Sequence, residues 1–371
     1  MRTKVLDFIG RHCSLGEHVG DRMKINIGII CPSEIAHRRF LPAVHANGNI
    51  NFIGVGVNSI NERYGSNLPG TTVIEEMLEI ERSKANQMIK EFGGKIFNSY
   101  EEIITSNEID AIYLPLPPAL HYKWAQRALE MGKHVLLEKP ATTNFSDTIN
   151  LIKVAQNSGL ALHENYMFTF HSQVEAIEKI IESGELGDIR LCRVSFGFPL
   201  RQKNDFRYVE QLGGGALIDA GGYTIKYASR ILGNTAQIAY SNLNYITSYE
   251  VDMYGSGALI NDNGMTVQVA FGMDNDYKCD LEVWGSKGTL QTGRVLTAPA
   301  GFCPKVIIKK NNEIEERTLK DDNSFENSIK YFLECIESPK TRYECYESIK
   351  TQARLVEEFL QKCSKKGTVI K

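Results

Sequence analysis

The sequence predicts an α/β protein in two parts: an N-terminal doubly wound parallel sheet, then a C-terminal α+β domain with a mostly antiparallel sheet. Three observations carry this. Between residue 24 and about residue 165, short β-rich runs alternate with helical patterns, the mark of a parallel sheet with helices on both faces. Beyond residue 165 the alternation stops, and strands follow one another through short polar or glycine-containing turns. The 371 residues suffice for two domains with a sizeable core.

Residues 1–23 stand outside both parts as an N-terminal extension. They have no long apolar run and no small-residue cleavage site, so they do not read as a signal peptide. In the first domain, 24–165, KINIGII (24–30), NFIGVGV (51–57), DAIYLPL (110–116), KHVLLEK (133–139) and LALHENY (160–166) read as strands. Helical patterns between them include SKANQMIKEF (83–92) and HYKWAQRALEMG (121–132), while residues 64–80 read as an insertion. In the second domain, 166–371, the helix VEAIEKIIESG (174–184) leads into a strand, RLCRVSFGF (190–198). GMTVQVAFGM (264–273), CDLEVWG (279–285) and GTLQT (288–292) read as further strands, and the tail from Phe325 to about Cys363 is helical in pattern.

The bulk numbers exclude several classes. A net charge of −3 and a pI near 6.3 do not suit a nucleic-acid partner. No apolar run approaches the ~18–20 residues of a membrane span. The eight cysteines are scattered without a Cys-x-x-Cys, and the eight histidines lack ligand spacing. This pattern predicts a reduced cytoplasmic protein with no structural metal.

Ligands of doubly wound sheets sit beyond the carboxyl ends of the strands. That rule gathers Cys31-Pro32-Ser33, Asn58-Ser59, Pro115 to His121 and Glu138-Lys139-Pro140 along one edge. A dinucleotide site after the first strand needs a tight turn, close backbone approach and a helix N-terminus for the phosphates. Glycines usually supply the first two. Here Cys31 and Ser33 stand in those places. Ser33 offers a hydroxyl donor, Ala36 lets the helix lie close, and Cys31 lacks glycine's freedom, which predicts a less tight turn. On this segment alone, a cofactor site spanning Cys31, Pro32, Ser33, Glu34, Ile35 and Ala36 and a plain strand–turn–helix both stay open. No acid directly follows the second strand to bind the ribose hydroxyls of NAD. Ser59 and Arg63 suit the extra phosphate of NADP, which is therefore favoured over NAD. Leu116, Pro117, His121, Glu138 and Lys139 complete the expected cofactor edge, with His121 expected as a structural or loop contact.

HYKWAQRALEMGKHVLLEKPATT (121–143), with PLPPALH before it and ENYMF after, resembles the glucose–fructose oxidoreductase and inositol dehydrogenase (Gfo/Idh/MocA) family. Its Glu-Lys-Pro is matched by Glu138, Lys139 and Pro140. A second segment, DFRYVEQLGGGALIDAGGYTIKYASRILG (205–233), resembles the family's Gly-Gly-Gly-x-Leu-x-Asp-x-Gly-x-His/Tyr pattern. The resemblance runs from about residue 24 to the C-terminus; Cys31 and Ser33 depart from the family's glycine loop. It implies a Rossmann domain binding NAD(P), a substrate domain, and hydride transfer between nicotinamide and a carbonyl or hydroxyl. It also implies that the face carrying Asp219 and Tyr223 points to the nicotinamide. Tyrosine at 223 resembles the branch of sugar ketoreductases, glucose–fructose oxidoreductase and dihydrodiol dehydrogenases.

The residues support matching roles. Lys139, at the ligand edge, can hydrogen-bond a substrate oxygen, and Glu138 can orient it. Asp219 and Tyr223 are four apart and share a helix face. Tyr223 is expected to handle the proton that accompanies hydride transfer, with the Lys139 ammonium lowering its pKa and Asp219 holding substrate or lysine in register. Asn165 and His171, past the last parallel strand, are expected substrate contacts. Arg201, Lys203 and Arg207 form a basic group suited to a diphosphate. The expected substrate is a sugar or nucleotide-sugar, with a sugar 3-ketoreductase the sharpest version. Rivals are a dihydrodiol or anhydrosugar reductase, an NAD-dependent glycosidase, and a cofactor-binding regulator without turnover. The family also implies a homo-oligomer, a dimer or tetramer.

Overall fold

In the computed structural model, the structure describes residues 24–59, 62, 71–203 and 205–363. The first sheet has six strands: β1 (Ile25–Ile30), β2 (Ile50–Gly56), β3 (Lys95–Phe97), β4 (Ala111–Leu114), β5 (His134–Glu138) and β6 (Leu162–Asn165), in the spatial order β3-β2-β1-β4-β5-β6. Every neighbouring pair is parallel. Helices on both faces bury the central strands, so β4 and the second part of β1, from Ile27 to Ile30, are buried at every position rather than at alternate ones. The chain reverses its winding between β1 and β4, which opens a crevice at their carboxyl ends.

β3, absent from the sequence reading, is three residues long, too short to show a pattern. The helix before it is longer than expected. It runs from Thr71 to Phe92 and takes up much of the stretch read as an insertion.

The second sheet has eight strands in the order β14-β13-β12-β11-β7-β10-β9-β8. β7 (Ile189–Gly197), β10 (Thr266–Gly272), β11 (Lys278–Gly285) and β12 (Thr289–Gly293) match the expected strands. β8 (Gln237–Tyr245), β9 (Asp252–Ile260), β13 (Lys305–Lys310) and β14 (Glu313–Thr318) add to them. All pairs are antiparallel except β7 with β10. One face packs on the helix Gly222–Leu232 through Val194, Val269, Leu281 and their neighbours. The other face carries a polar ladder in which Arg193 reaches Gln268 at 2.9 Å and Glu282 at 3.3 Å. Among the described residues no helix is long and apolar enough to cross a membrane.

The C-terminal tail forms two helices, Ser324–Glu337 and Pro339–Lys362, capped by Asn323 and Ser338. Their apolar stripes serve both cores. Phe325, Ile329, Phe332, Cys335, Cys345 and Ile349 pack into the core of the first sheet, and Leu355 and Phe359 into that of the second. Sequence order therefore places the tail after the second domain, while packing places half of it under the first.

Candidate active site

At the end of β1 the chain turns at Cys31, whose φ of 78° lies in the left-handed region. The turn is as tight as a glycine would make it, contrary to the looser one expected, and a cysteine holds the strain. Ser33 N–H donates to the Cys31 carbonyl at 2.9 Å, while Ser33 Oγ accepts from Ala36 N–H at 3.2 Å and so caps the helix that follows. The serine hydroxyl expected to face phosphate thus serves the helix end. The amides of Glu34 and Ile35 are left without an acceptor among the described residues. Ala36 is fully buried against the strand.

At the end of β2, Asn58 N–H donates to Glu81 at 3.0 Å, and Asn58 Oδ1 is buried without a partner. An acid does stand here, contrary to the sequence reading. Glu62 folds back so that Oε2 accepts from Ser59 N–H at 2.7 Å. The amides of Tyr100 and Glu101 also donate to its carboxylate, which is therefore largely engaged. Arg63 lies outside the described residues. Two features fit a dinucleotide: amides at a helix N-terminus for its phosphates, and an orphaned buried acceptor where its adenosine ribose would lie.

The loops after β4 and β5 are tied together by His121. Its ring nitrogens lie 2.7 Å from the carbonyls of Leu116 and Pro140. Burial holds its pKa down to about 4, against the pull of the two carbonyls. His121 is a structural clasp, with Leu116 and Pro117 on the loop it secures. The Lys139–Pro140 peptide next to it is cis.

Lys139 is the meeting point of the two domains. Its ammonium donates to Asp219 Oδ1 at 2.7 Å and to the Asp219 main-chain carbonyl at 2.9 Å. Arg207 Nε reaches Asp219 Oδ2 at 2.7 Å, and its Nη1 reaches Asp205 at 3.0 Å. These side chains are largely buried, with 11% exposure at Lys139 and 12% at Asp219. Burial opposes the charge on Asp219, but Lys139 and Arg207 more than offset it and hold the carboxyl well below its ordinary range. Asp219 stands in a π-helical turn, Leu217–Gly221, that runs into the helix Gly222–Leu232 bearing Tyr223. The triple glycine makes this approach possible. At Gly213 (φ 77°) a Cβ would meet Thr143 at 2.8 Å and Pro118 at 2.9 Å; at Gly215 (φ 117°) it would meet Asp252 Oδ1 at 2.3 Å.

Lys139 Nζ lies 5.0 Å from the centre of the Tyr223 ring, which sits in a box of Tyr166, Phe168 and Phe196. The Tyr223 hydroxyl has no hydrogen-bond partner among the described residues. The pKa shift differs in sign from the one expected. Burial, and then the carboxylates of Glu138 and Asp219, raise the phenol well above its ordinary value. Lys139 spends its charge on Asp219 rather than on the phenolate.

Glu138 accepts from Tyr113 OH at 2.7 Å and from Asn165 Nδ2 at 2.8 Å. Asn165 Oδ1 accepts from Ser328 Oγ, which also contacts His163 Nε2 at 2.9 Å. Asn165 is thus a buried strut behind Glu138 rather than a surface facing substrate. His171 is buried too; its Nδ1 accepts from Gln173 N–H and caps the helix Ser172–Glu182. Arg207 is engaged by two carboxylates and is not free to bind a diphosphate. Arg201 and Lys203 are exposed, with the Arg201 guanidinium 5.1 Å from the Phe198 ring centre. The sequence reading placed Asn58 on the ligand edge without giving it a role, and it missed Tyr113 and the aromatic box, whose rings carry no local signal.

Residues 49–166 match the model of an oxidoreductase family with an NAD-binding Rossmann fold, and residues 174–291 match the GFO/IDH/MocA C-terminal domain. A dTDP-3,4-didehydro-2,6-dideoxy-alpha-D-glucose 3-reductase of Streptomyces violaceoruber is 34% identical over 314 residues, covering 84% of this chain and 85% of the relative. The same-named enzyme of Actinomadura kijaniata is 33% identical over 341 residues, covering 92% and 96%. The crystal structure of KijD10, a 3-ketoreductase from Actinomadura kijaniata in complex with NADP and TDP-benzene, superposes with a TM-score of 0.83 at 32% identity, covering 92% of this chain and 98% of that one. With both domains matched, and with relatives this similar along nearly the whole chain, the protein belongs to the Gfo/Idh/MocA family of oxidoreductases.

Proposed function

We propose that the protein is an NADP-dependent ketoreductase acting on a keto group of a nucleotide-linked sugar. The observation that carries this reading is the unpartnered Tyr223 hydroxyl beside a lysine locked to Asp219, at the carboxyl edge of a Rossmann sheet. The curated relatives reduce a dTDP-linked keto-sugar at position 3, and KijD10 was crystallised with NADP. Variants of KijD10 crystallised with both ligands replace one tyrosine by phenylalanine and one lysine by alanine or glutamate. Those two positions have the same separation in that chain as Lys139 and Tyr223 have here.

The amides of Glu34 and Ile35 would hold the cofactor pyrophosphate, and Asn58 and Ser59 the adenosine ribose with its phosphate. Leu116, Pro117 and Lys139 line the way to the nicotinamide. The nicotinamide, when bound, supplies the hydride that adds to the carbonyl carbon. The protein manages the oxygen. Tyr223 gives its phenolic proton to the developing alkoxide, and its raised pKa keeps that proton in place at neutral pH until negative charge appears beside it. Lys139 has three N–H donors; two are spent on Asp219, and the third polarises the same oxygen. Asp219 fixes the direction of that donor, and Asn165 and Tyr113 fix Glu138 behind it.

Tyr223→Phe tests the assignment, because it keeps the ring and removes the proton. Turnover should fall by roughly 10²–10⁴, the usual worth of general acid–base help. NADPH affinity, read by fluorescence titration, should hold. A Tyr223→Phe enzyme with wild-type turnover beside a dead Lys139→Met enzyme would give the proton to Lys139 instead.

A further inference from the structure

The aromatic box around Tyr223 continues outward as a row. Phe196 lies 5.3 Å from Tyr223 between ring centres, and Phe198, two residues on, lies 5.7 Å from Phe196. On the neighbouring strand β11, Cys279 stands opposite Phe196 and Lys278 opposite Gly197, a register that leads Tyr277 toward Phe198. Each outer aromatic carries a guanidinium. Arg201 Cζ is 5.1 Å from the Phe198 ring centre, and Arg294 Cζ is 5.3 Å from that of Tyr277 and 6.0 Å from that of Phe302. Both arginines are exposed, and neither meets a carboxylate among the described residues.

The mounting is rigid. Tyr277 OH is 2.6 Å from Thr297 Oγ1, which in turn contacts Cys279 Sγ at 3.3 Å. Arg294 holds a left-handed backbone, φ 52°, and its carbonyl accepts from the buried Gln173 amide at 3.4 Å. Gln173 Oε1 and His171 Nε2, behind this loop, are buried without partners. A non-glycine residue kept in that conformation, with orphaned polar atoms at its back, is a common mark of a ligand-binding loop.

Resting on the nucleotide-sugar reading above, we propose that Arg201 and Arg294 clamp the diphosphate of a nucleoside diphosphate, with the faces of Phe198 and Tyr277 beside its base. A guanidinium stacked on a ring keeps its N–H fork free for phosphate oxygens, and two such forks match the charge of a diphosphate. Phe196 stands between Tyr223 and Phe198 in the row, with 5.3 Å and 5.7 Å between successive ring centres, so the diphosphate would lie one ring outward of the keto group. Arg207, which the sequence had offered for this role, is replaced by Arg294.

The test is calorimetric titration of the NADPH-loaded enzyme with the diphosphates of thymidine, uridine, adenosine, guanosine and cytidine, and with the corresponding monophosphates. The enzymes compared are the wild type, Arg201→Gln and Arg294→Gln. The wild type should bind at least one diphosphate. Each substitution should raise its Kd by roughly 10-fold or more, the worth of a charge-assisted contact, with a smaller penalty for the monophosphate. NADPH affinity and melting temperature should not change, since both side chains are exposed. Wild-type diphosphate affinity in either variant overturns this clamp but leaves the nucleotide-sugar reading standing. A wild type that binds no nucleoside diphosphate, yet reduces free keto-sugars, removes both.

Discussion

Replacing Asp219 by asparagine isolates the electrostatics of the site. The carboxylate answers two buried cations at 2.7 Å each. After the substitution Arg207 keeps Asp205, at 3.0 Å, as its counter-charge. Lys139 keeps the main-chain carbonyl of residue 219 and at most a neutral amide oxygen, so the uncompensated charge falls on the lysine. Breaking a buried pair costs ~3–5 kcal/mol, and the pairing that survives at Arg207 places this case near ~3. For a chain of 371 residues that is a shift in melting temperature on the order of 4 °C. The pH dependence has a definite sign. Because the folded-state pKa is depressed, the native state binds fewer protons than the unfolded chain as pH falls through the carboxyl range. Stability from Asp219 is therefore fully present above the unfolded value near ~4 and fades below it. Melting curves of both proteins from pH 8 to pH 3 should show a wide gap above pH 5 that narrows under acid. Turnover should fall along with stability, since the lysine loses the partner that aims it. Curves that coincide at pH 7, or a gap that widens under acid, would refute the account.

Two further outcomes concern the cofactor edge. Cys31→Val should lower stability by about 2 kcal/mol, because a β-branched residue resists φ 78°, while Cys31→Gly should hold or raise the melting temperature; equal melting of the valine variant would show that the turn relaxes. Ser59→Asp places a second carboxylate beside Glu62, so NADPH should bind on the order of 10-fold more weakly and NADH should gain; an unchanged ratio of the two affinities would put the 2′-phosphate elsewhere.

The parallel sheet was legible because β-branched runs alternate with helical stripes, and the proposed pair of Lys139 and Tyr223 stood out because Glu138-Lys139-Pro140 and the triple glycine are distinctive in sequence. The partners of those residues were legible only in part. The sequence let Asp219 hold either substrate or lysine, and nothing local chooses the lysine, 80 positions away, or says that Glu62 turns back onto Ser59. The sign of the Tyr223 shift depends on which of its neighbours spends the lysine's charge, a matter of distance that spacing does not fix. Some signals were present and passed over. The hairpin of β13 and β14 turns on Asn311-Asn312, both at positive φ, the usual chemistry of a two-residue turn. Arg294 had no signal, because its worth comes from the ring beneath it.

The helix Ser324–Glu337 sets the order in which this protein can be completed. Phe325, Ile329 and Phe332 close the core of a sheet whose strands end at Asn165, and Ser328 braces Asn165 itself. A ribosome releases the chain from its N-terminus, so the Rossmann sheet must wait, with part of its apolar floor uncovered, while the whole of the second sheet is translated. The nucleotide-binding half is then the first begun and the last finished, and the brace behind Glu138 is set only when the tail docks. Chains cut short before residue 324 would leave bare the apolar floor that Phe325, Ile329 and Phe332 cover, the kind of surface on which incomplete chains aggregate.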